Sequence, residues 1–341
     1  MVSRRERLGA DAGDDVRFNI DAMEWLAAHR SPVLTDFFQF WTAFGDVQGY
    51  VLVFALLFMA VDKPLAVRFG VIALVAMSLN HVLKELIQNP RPFIEGELYL
   101  QRWAVSTDTA AALAREYSTP SGHAMAAGAA YTYLAGLLRK PYVLVGALVV
   151  IVLVGASRPY LGVHYVEDIL LGWIIGGCLA LLALRYAGAA PSAWSRLRAP
   201  LRIALCAAFS ASVWLATVAL NGWSLVGVPH AFISQLGFLT GLMVAWPWEA
   251  RRLRFDPRSA TIAIKTVRVA LCVALVAVTL VVLDQIVERI ASDDTILGHA
   301  LRYLRYVASA SVGVLLAPLL CVRLGLGAAS ADIIRPSHTA A

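Results

Sequence analysis

The sequence has little charge, and this scarcity excludes an ordinary water-soluble protein. Only 15% of its 341 residues are charged, whereas 59% are hydrophobic, and the mean hydropathy is +0.69. Soluble domains carry about 25% charged and about 45–50% apolar residues. Long apolar runs need a solvent other than water, and helices satisfy their own backbone groups there. The composition therefore predicts an all-α fold, a polytopic bundle of membrane helices.

Three further features are scarce or missing. The first thirty residues mix charges of both signs and lack an apolar run followed by small residues, so no cleavable signal peptide is expected. The net charge of +6 comes without a basic stripe interleaved with aromatics, so nucleic acid is not an expected partner. The cysteines lie dispersed in apolar runs and predict neither a disulfide framework nor a zinc cluster: Cys178, Cys206, Cys272 and Cys321.

Nine apolar runs are candidate transmembrane spans. Several are shorter than the roughly 20 residues that a hydrocarbon core of about 30 Å requires, so their ends must extend into polar flanks. The aromatic-rich residues 31–46 precede them and predict an interfacial helix. The runs cover about 47–61, 65–83, 123–138, 142–156, 166–185, 203–220, 231–246, 264–284 and 303–322.

The distribution of charge predicts the orientation of these spans. With nine spans, one membrane face receives 16 basic and only 4 acidic residues, and the remaining 13 basic and 19 acidic residues fall to the other. Lysine and arginine mark the cytoplasmic side. We therefore expect a multi-pass protein of the cell membrane with its N-terminus outside and its C-terminus inside.

The chain divides into four predicted segments. Residues 1–46 form a tail and interfacial helix, 47–187 a catalytic helical core, 188–325 a C-terminal extension of four spans, and 326–341 a tail. The boundary between core and extension falls in 186–200, where proline, alanine and serine separate two apolar runs.

Three clusters of polar residues lie where apolar runs meet the predicted outer face. They contain three cations, Lys84, Arg91 and Arg158, and charge at a membrane boundary usually serves a function. An arginine fork and a lysine point charge suit a phosphate dianion. Ser121 and Gly122 follow a proline at a predicted helix start, where free N–H groups bind anions. The clusters predict a phosphate-binding pocket.

Two histidines add chemistry to this pocket. His164 and Asp168 are four residues apart, so the carboxylate can hold one ring nitrogen and leave the other free to attack phosphorus. His123 can then protonate the departing oxygen. The cations stabilise the transition-state charge, so no metal and no cofactor is expected.

Each of these residues has an ordinary structural explanation when taken singly. Lys84 and Arg158 suit helix-end anchors, the proline after Arg91 suits a turn, Ser121 suits a helix cap, and His164 with Asp168 suits a structural pair. Their combination in fixed order on one side of the membrane favours a site.

The three clusters resemble the motifs of the type 2 phosphatidic acid phosphatase (PAP2) superfamily. The resemblance implies that Lys84, Arg91, Ser121, Gly122 and Arg158 bind phosphate, that His164 becomes phosphohistidine, that Asp168 orients it, and that His123 is the general acid. The matching stretches are Lys84-x6-Arg91-Pro92, Pro120-Ser121-Gly122-His123 and Ser157-Arg158-x5-His164-x3-Asp168.

The resemblance leaves the substrate open. The expected function is hydrolysis of lipid phosphomonoesters or diphosphates, of the phosphatidate, phosphatidylglycerophosphate or undecaprenyl diphosphate type, by an enzyme surrounded by membrane lipids. The layout is also similar to glucose-6-phosphatase, which would make a sugar phosphate the substrate. A phosphotransferase would use the same phosphohistidine. A transporter would place its polar residues near the midplane rather than at one face, and a soluble haloperoxidase does not fit the hydropathy.

Overall fold

The computed structural model describes residues 14–95, 105, 110, 113–114, 116–186, 194, 196–226 and 228–328. Within these ranges the regular structure is helical and no residue lies in a β-strand, which confirms the all-α prediction. The longer helices are α1 (Asp14–Ala28), α2 (Pro32–Thr42), α3 (Val47–Leu56), α4 (Lys63–Ile87), α5 (Gly122–Leu138), α6 (Pro141–Tyr160), α7 (Val166–Arg185), α8 (Ala199–Leu220), α9 (His230–Trp248), α10 (Ile262–Ile290), α11 (Ile296–Ser311) and α12 (Ala317–Arg323).

Short segments join or extend these helices. A 3₁₀ turn, Ala43–Gly45, follows α2, and a four-residue helix, Pro92–Glu95, follows α4. π-helical turns at Leu57–Val61, Glu249–Leu253 and Val312–Leu316 extend α3, α9 and α11. They lengthen three apolar helices without breaking them.

Seven described helices are long and apolar enough to cross a membrane, and eight if the bent pair 32–45 and 47–61 counts as one span. The predicted count of nine is not confirmed. The run at 123–138 becomes a helix of 17 residues, about 25 Å long, which falls short of the hydrocarbon thickness. The run at 47–61 bends by 63° against the preceding helix.

Apolar side chains cover the outside of these helices. Leu144 and Val145 on α6 are each 62% exposed, and Leu181 on α7 is 64% exposed. A soluble protein would not leave such faces in water. The chain is therefore a multi-span membrane protein whose exposed apolar faces meet lipid.

The described chain forms two compact units, and the first contains 1–49 and 76–185. Its centre is the pair α5 and α7, which pack closely because glycines face the contact. A Cβ atom on Gly176 would lie 2.3 Å from the carbonyl oxygen of Met125, and one on Gly172 would lie 3.0 Å from the carbonyl oxygen of Ser121. Small residues permit this backbone approach. The contact places the start of α5 beside the start of α7.

The second unit contains 50–75 and 186–341. Here α9 and α11 pack through Gly237 and Gly241, whose Cβ atoms would lie 2.5 Å from carbonyl oxygens of α11. Lys63 and Glu249 form a buried ion pair at 2.6 Å. The boundaries predicted from sequence at 46, 187 and 325 stay predictions.

Candidate active site

The first cluster begins where α4 ends. The helix stops at Ile87 because Gln88 takes a left-handed conformation with φ +55° and two prolines follow within four residues. This turn places Lys84, in the last turn of α4, near Arg91. Both side chains are buried, Lys84 at 5% and Arg91 at 1% exposure. Buried cations need anionic partners.

Their partner is Glu116, a residue that the sequence motifs did not predict. Its Oε2 lies 3.0 Å from Lys84 Nζ and 3.4 Å from Arg91 Nη2, and its carbonyl oxygen accepts a hydrogen bond from Arg91 Nε at 3.1 Å. Burial raises the pKa of Glu116, but the charges of Lys84 and Arg91 outweigh this effect and bring the pKa down to about 2. The two cations therefore already hold one carboxylate between them.

The second cluster starts α5. Ser121 lies just before the first helical residue, and its N–H donates to the carbonyl oxygen of Asp168 at 3.0 Å, which ties α5 to α7. Asn80 of α4 donates to the carbonyl oxygen of Pro120 at 2.9 Å. A Cβ atom on Gly122 would lie 3.0 Å from Asn80 Oδ1, so the glycine allows this approach.

The third cluster spans the turn between α6 and α7. Gly162 has φ +78°, a conformation that favours glycine, and the chain reverses there after α6. The reversal sets His164 just before α7 and Asp168 in its first turn. His164 is 1% exposed and Asp168 is fully buried.

Asp168 is surrounded by donors. Its Oδ2 lies 3.2 Å from His164 Nδ1 and accepts from the Tyr165 N–H at 2.9 Å and from Ser118 Oγ at 2.5 Å. Its Oδ1 accepts from Thr119 Oγ1. These bonds fix the carboxylate and orient the imidazole, as in other carboxylate–histidine pairs.

The other ring nitrogen of His164 faces the cations. Nε2 lies 3.1 Å from Arg91 Nη1, which also donates to the carbonyl oxygen of Val163. Burial and the charge of Arg91 hold the pKa of His164 well below its usual 6.5, and the Asp168 carboxylate opposes this shift. His164 is therefore neutral at pH 7, with Nδ1 held by Asp168 and an Nε2 lone pair available.

Among the predicted site residues, two buried side-chain atoms have no hydrogen-bond partner in the described part of the chain. They are Ser121 Oγ and Arg158 Nε. Arg158 lies in the last turn of α6, and its Nη1 donates to Thr42 Oγ1 at 2.7 Å. Buried donors without partners are costly, and a bound anion would satisfy both.

His123 occupies the first turn of α5 and is partly exposed. Its Nε2 lies 2.8 Å from Asp46 Oδ1. Asp46 was not predicted, and neither were Glu116, Ser118 and Thr119. The sequence carried no spacing signal for Asp46 or Glu116, whereas Ser118 and Thr119 directly precede a recognisable motif.

The structure brings the predicted residues of all three clusters into one network. Lys84 and Arg91 meet at Glu116, Arg91 meets His164, and Ser121 meets Asp168. Arg158 and His123 are linked to the same N-terminal stretch, 42–46. Their roles in binding and catalysis stay predictions.

Family models match two stretches of the chain. Residues 65–192 match the PAP2 superfamily, and residues 233–330 match the PAP2 superfamily phosphatase transmembrane extension. The first stretch contains all three clusters.

Named relatives resemble the same region. Human sphingosine-1-phosphate phosphatase 2 is 34% identical over 151 residues, which cover 42% of this chain and 36% of the relative. Phosphatidylglycerophosphatase B of Bacillus subtilis is 38% identical over 115 residues, which cover 30% of this chain and 49% of the relative. Undecaprenyl-diphosphatase of Sulfolobus acidocaldarius is 24% identical over 179 residues, which cover 52% of this chain and 82% of the relative. The chain thus spans less than half the length of the first two relatives.

Proposed function

We propose that this chain, a member of the PAP2 superfamily, is an integral membrane phosphatase that hydrolyses lipid phosphomonoesters or diphosphates through a phosphohistidine at His164. The observation that carries the proposal is the position of His164 Nε2. This neutral, oriented nitrogen lies 3.1 Å from a guanidinium that can hold a phosphate oxygen.

The anion-binding groups support a phosphate at this position. Lys84 and Arg91 already share one carboxylate, Glu116, and a phosphate oxygen can replace it. Ser121 Oγ and Arg158 Nε, which lack partners among the described side chains and backbone, add two donors. Together these groups would bind three equatorial oxygens as charge develops on them.

In the first step, the Nε2 lone pair of His164 attacks phosphorus, a P–N bond forms, and the bond from phosphorus to the leaving oxygen breaks. Asp168 stabilises the positive ring through Nδ1. His123 gives its proton to the leaving oxygen.

In the second step, water attacks phosphorus and the P–N bond breaks, which releases inorganic phosphate. His123, now neutral, accepts a proton from that water by microscopic reversibility. The protein cations supply the charge stabilisation throughout, so the proposed reaction needs no metal ion.

Lipid substrates are favoured over soluble ones. The three named relatives act on phosphorylated lipids. The polar clusters lie at the ends of apolar helices, so a hydrocarbon chain can stay in lipid while only the headgroup enters. We place the site on the extracytoplasmic face because the predicted charge distribution puts the basic loops inside.

The experiment is a phosphate-release assay on the purified protein. The panel contains phosphatidate, sphingosine 1-phosphate, undecaprenyl diphosphate and glucose 6-phosphate, each with excess EDTA. We expect release from one or more lipids, and its loss in His164→Ala but not in His29→Ala, which changes an exposed histidine bonded to Trp25.

Three results would contradict the proposal. Activity on glucose 6-phosphate alone would favour a sugar-phosphate phosphatase. Transfer of phosphate to an added alcohol in preference to water would favour a phosphotransferase. Activity lost in EDTA and restored by Mg²⁺ would show that the reaction needs a metal.

A further inference from the structure

We propose that Asp46 is a positioning residue for His123. The site would then contain two carboxylate–histidine pairs, one for the nucleophile and one for the general acid. This inference rests on the proposed function. Asp168 orients the nucleophile, and Asp46 would orient the acid that protonates the leaving oxygen. No sequence motif contains Asp46, which lies 77 residues before His123.

The contact between Asp46 and His123 is direct and partly exposed to solvent. Asp46 Oδ1 lies 2.8 Å from His123 Nε2, and the two side chains are 44% and 20% exposed. The buried pair His164–Asp168 is by contrast closed to solvent. A leaving group must depart toward an opening, so the partly exposed histidine is the one placed to meet it.

The backbone around Gly45 places the Asp46 carboxylate beside His123. Asp46 occupies the break between the 3₁₀ turn Ala43–Gly45 and α3. Gly45 is buried, and a Cβ atom there would lie 2.8 Å from His123 Cδ2 and 2.6 Å from Val154 Cγ1. A larger residue would push the segment away from the imidazole, so glycine permits the approach.

The same segment is fastened at two residues that precede Gly45. Arg158 Nη1 donates to Thr42 Oγ1 at 2.7 Å, and Tyr131 Oη donates to the carbonyl oxygen of Phe44 at 3.2 Å. Residues 42–46 are thus held against α5 and α6. The carboxylate is fixed by this scaffold rather than carried on a free loop.

The chemistry follows from which nitrogen is occupied. With Asp46 on Nε2, Nδ1 of His123 is the atom left to donate a proton to the leaving oxygen. Burial and the cations Arg158 and Lys84 disfavour an imidazolium at His123. The Asp46 carboxylate opposes them, so this residue increases the share of His123 that carries the acid proton.

A structural ion pair would give the same geometry, so the test must separate the two roles. An acid matters for an alkoxide leaving group and hardly at all for p-nitrophenolate, which departs without a proton. The ratio of kcat/KM on phosphatidate to kcat/KM on p-nitrophenyl phosphate therefore reports proton donation. A structural defect lowers both values together.

The experiment compares wild type, Asp46→Asn, Asp46→Glu and Asp36→Asn in the full-length protein. Asp36 is exposed on α2 and serves as the matched control. We expect Asp46→Asn to lower kcat/KM on phosphatidate by about 100-fold and on p-nitrophenyl phosphate by less than about fivefold. The high-pH limb on phosphatidate should move to lower pH. Asp46→Glu should recover part of the loss, and Asp36→Asn should match wild type.

Equal losses of Asp46→Asn on both substrates, or no loss on either, would overturn the inference. If Asp46→Asn does not fold, Asp46→Ser is measured in the same ratio and judged by the same outcomes. A wild-type protein that releases no phosphate from any substrate would instead overturn the proposed function, and this inference with it.

Discussion

At the scale of single residues, the site depends on how charge surrounds His164. Arg91 lies against Nε2, Asp168 holds Nδ1, and burial removes water from both. Burial and Arg91 together lower the pKa of His164, so the ring stays neutral and nucleophilic well into the acid range.

This arrangement predicts the acid limb of the pH profile. Since His164 must be neutral, activity falls only when pH drops through its lowered pKa. We expect the acid limb of kcat, measured at saturating substrate, to lie below pH 6.5, and to move to higher pH in Arg91→Gln because the opposing charge is gone. Substrate ionisation is the same for both proteins. An acid limb that stays in place in Arg91→Gln would contradict this electrostatic account.

Glu116 predicts a competition at the phosphate site. With a pKa of about 2 it is ionised throughout the working range, and a phosphate must displace it from Lys84 and Arg91. We expect Glu116→Gln to lower the inhibition constant of inorganic phosphate roughly 10-fold, which corresponds to about 1.4 kcal/mol. Asp21→Asn, an exposed change on α1, is the control. Weaker phosphate binding in Glu116→Gln would show that the carboxylate organises the cations instead.

At the scale of elements, close packing of α5 against α7 sets the distance between the clusters. Ser121 precedes α5, Asp168 lies in the first turn of α7, and their backbone hydrogen bond joins the two helix starts. The glycines of α7 let the helices approach to that distance.

Two adjacent glycines of α7 give a matched test of this packing. A Cβ atom on Gly176 would lie 2.3 Å from the carbonyl oxygen of Met125, whereas one on Gly177 would meet no atom within 4 Å. We expect Gly176→Leu to destabilise the protein by about 3 kcal/mol or more and to abolish activity, while Gly177→Leu keeps both. The melting temperature in detergent and phosphate release measure the two effects. Similar behaviour of the two variants would argue against close packing at Gly176.

The elements were largely predictable from sequence, and the partners of the site were not. The apolar runs predicted where the helices lie. The helices α4 and α10 extend several residues beyond their apolar runs, because polar residues at the ends are also helical. The contact of Asp46 with His123 and that of Glu116 with Lys84 join residues that are 77 and 32 positions apart in the sequence. Sequence periodicity and motifs give no signal for contacts between such distant residues. The three motifs of the sequence analysis depend only on spacing between residues that are close in the sequence.

At the scale of the whole molecule, the charge asymmetry predicts the orientation of the spans. Ser292 lies between α10 and α11 on the face predicted to be outside, and Ser259 lies between α9 and α10 on the basic face. Both are exposed. We expect a membrane-impermeant maleimide to label Ser292→Cys in intact cells and Ser259→Cys only after permeabilisation. The reverse pattern would place the proposed site on the cytoplasmic face.

If His164 carries the phosphoryl group, the phosphorylated protein can be trapped during turnover. The full-length protein is mixed with ³²P-labelled phosphatidate or phosphate, quenched within milliseconds and assayed for protein-bound label. We expect label that is stable in base, labile in acid and absent from His164→Ala but present in His29→Ala. Label that persists in His164→Ala, or active wild type that never becomes labelled, would contradict this role of His164.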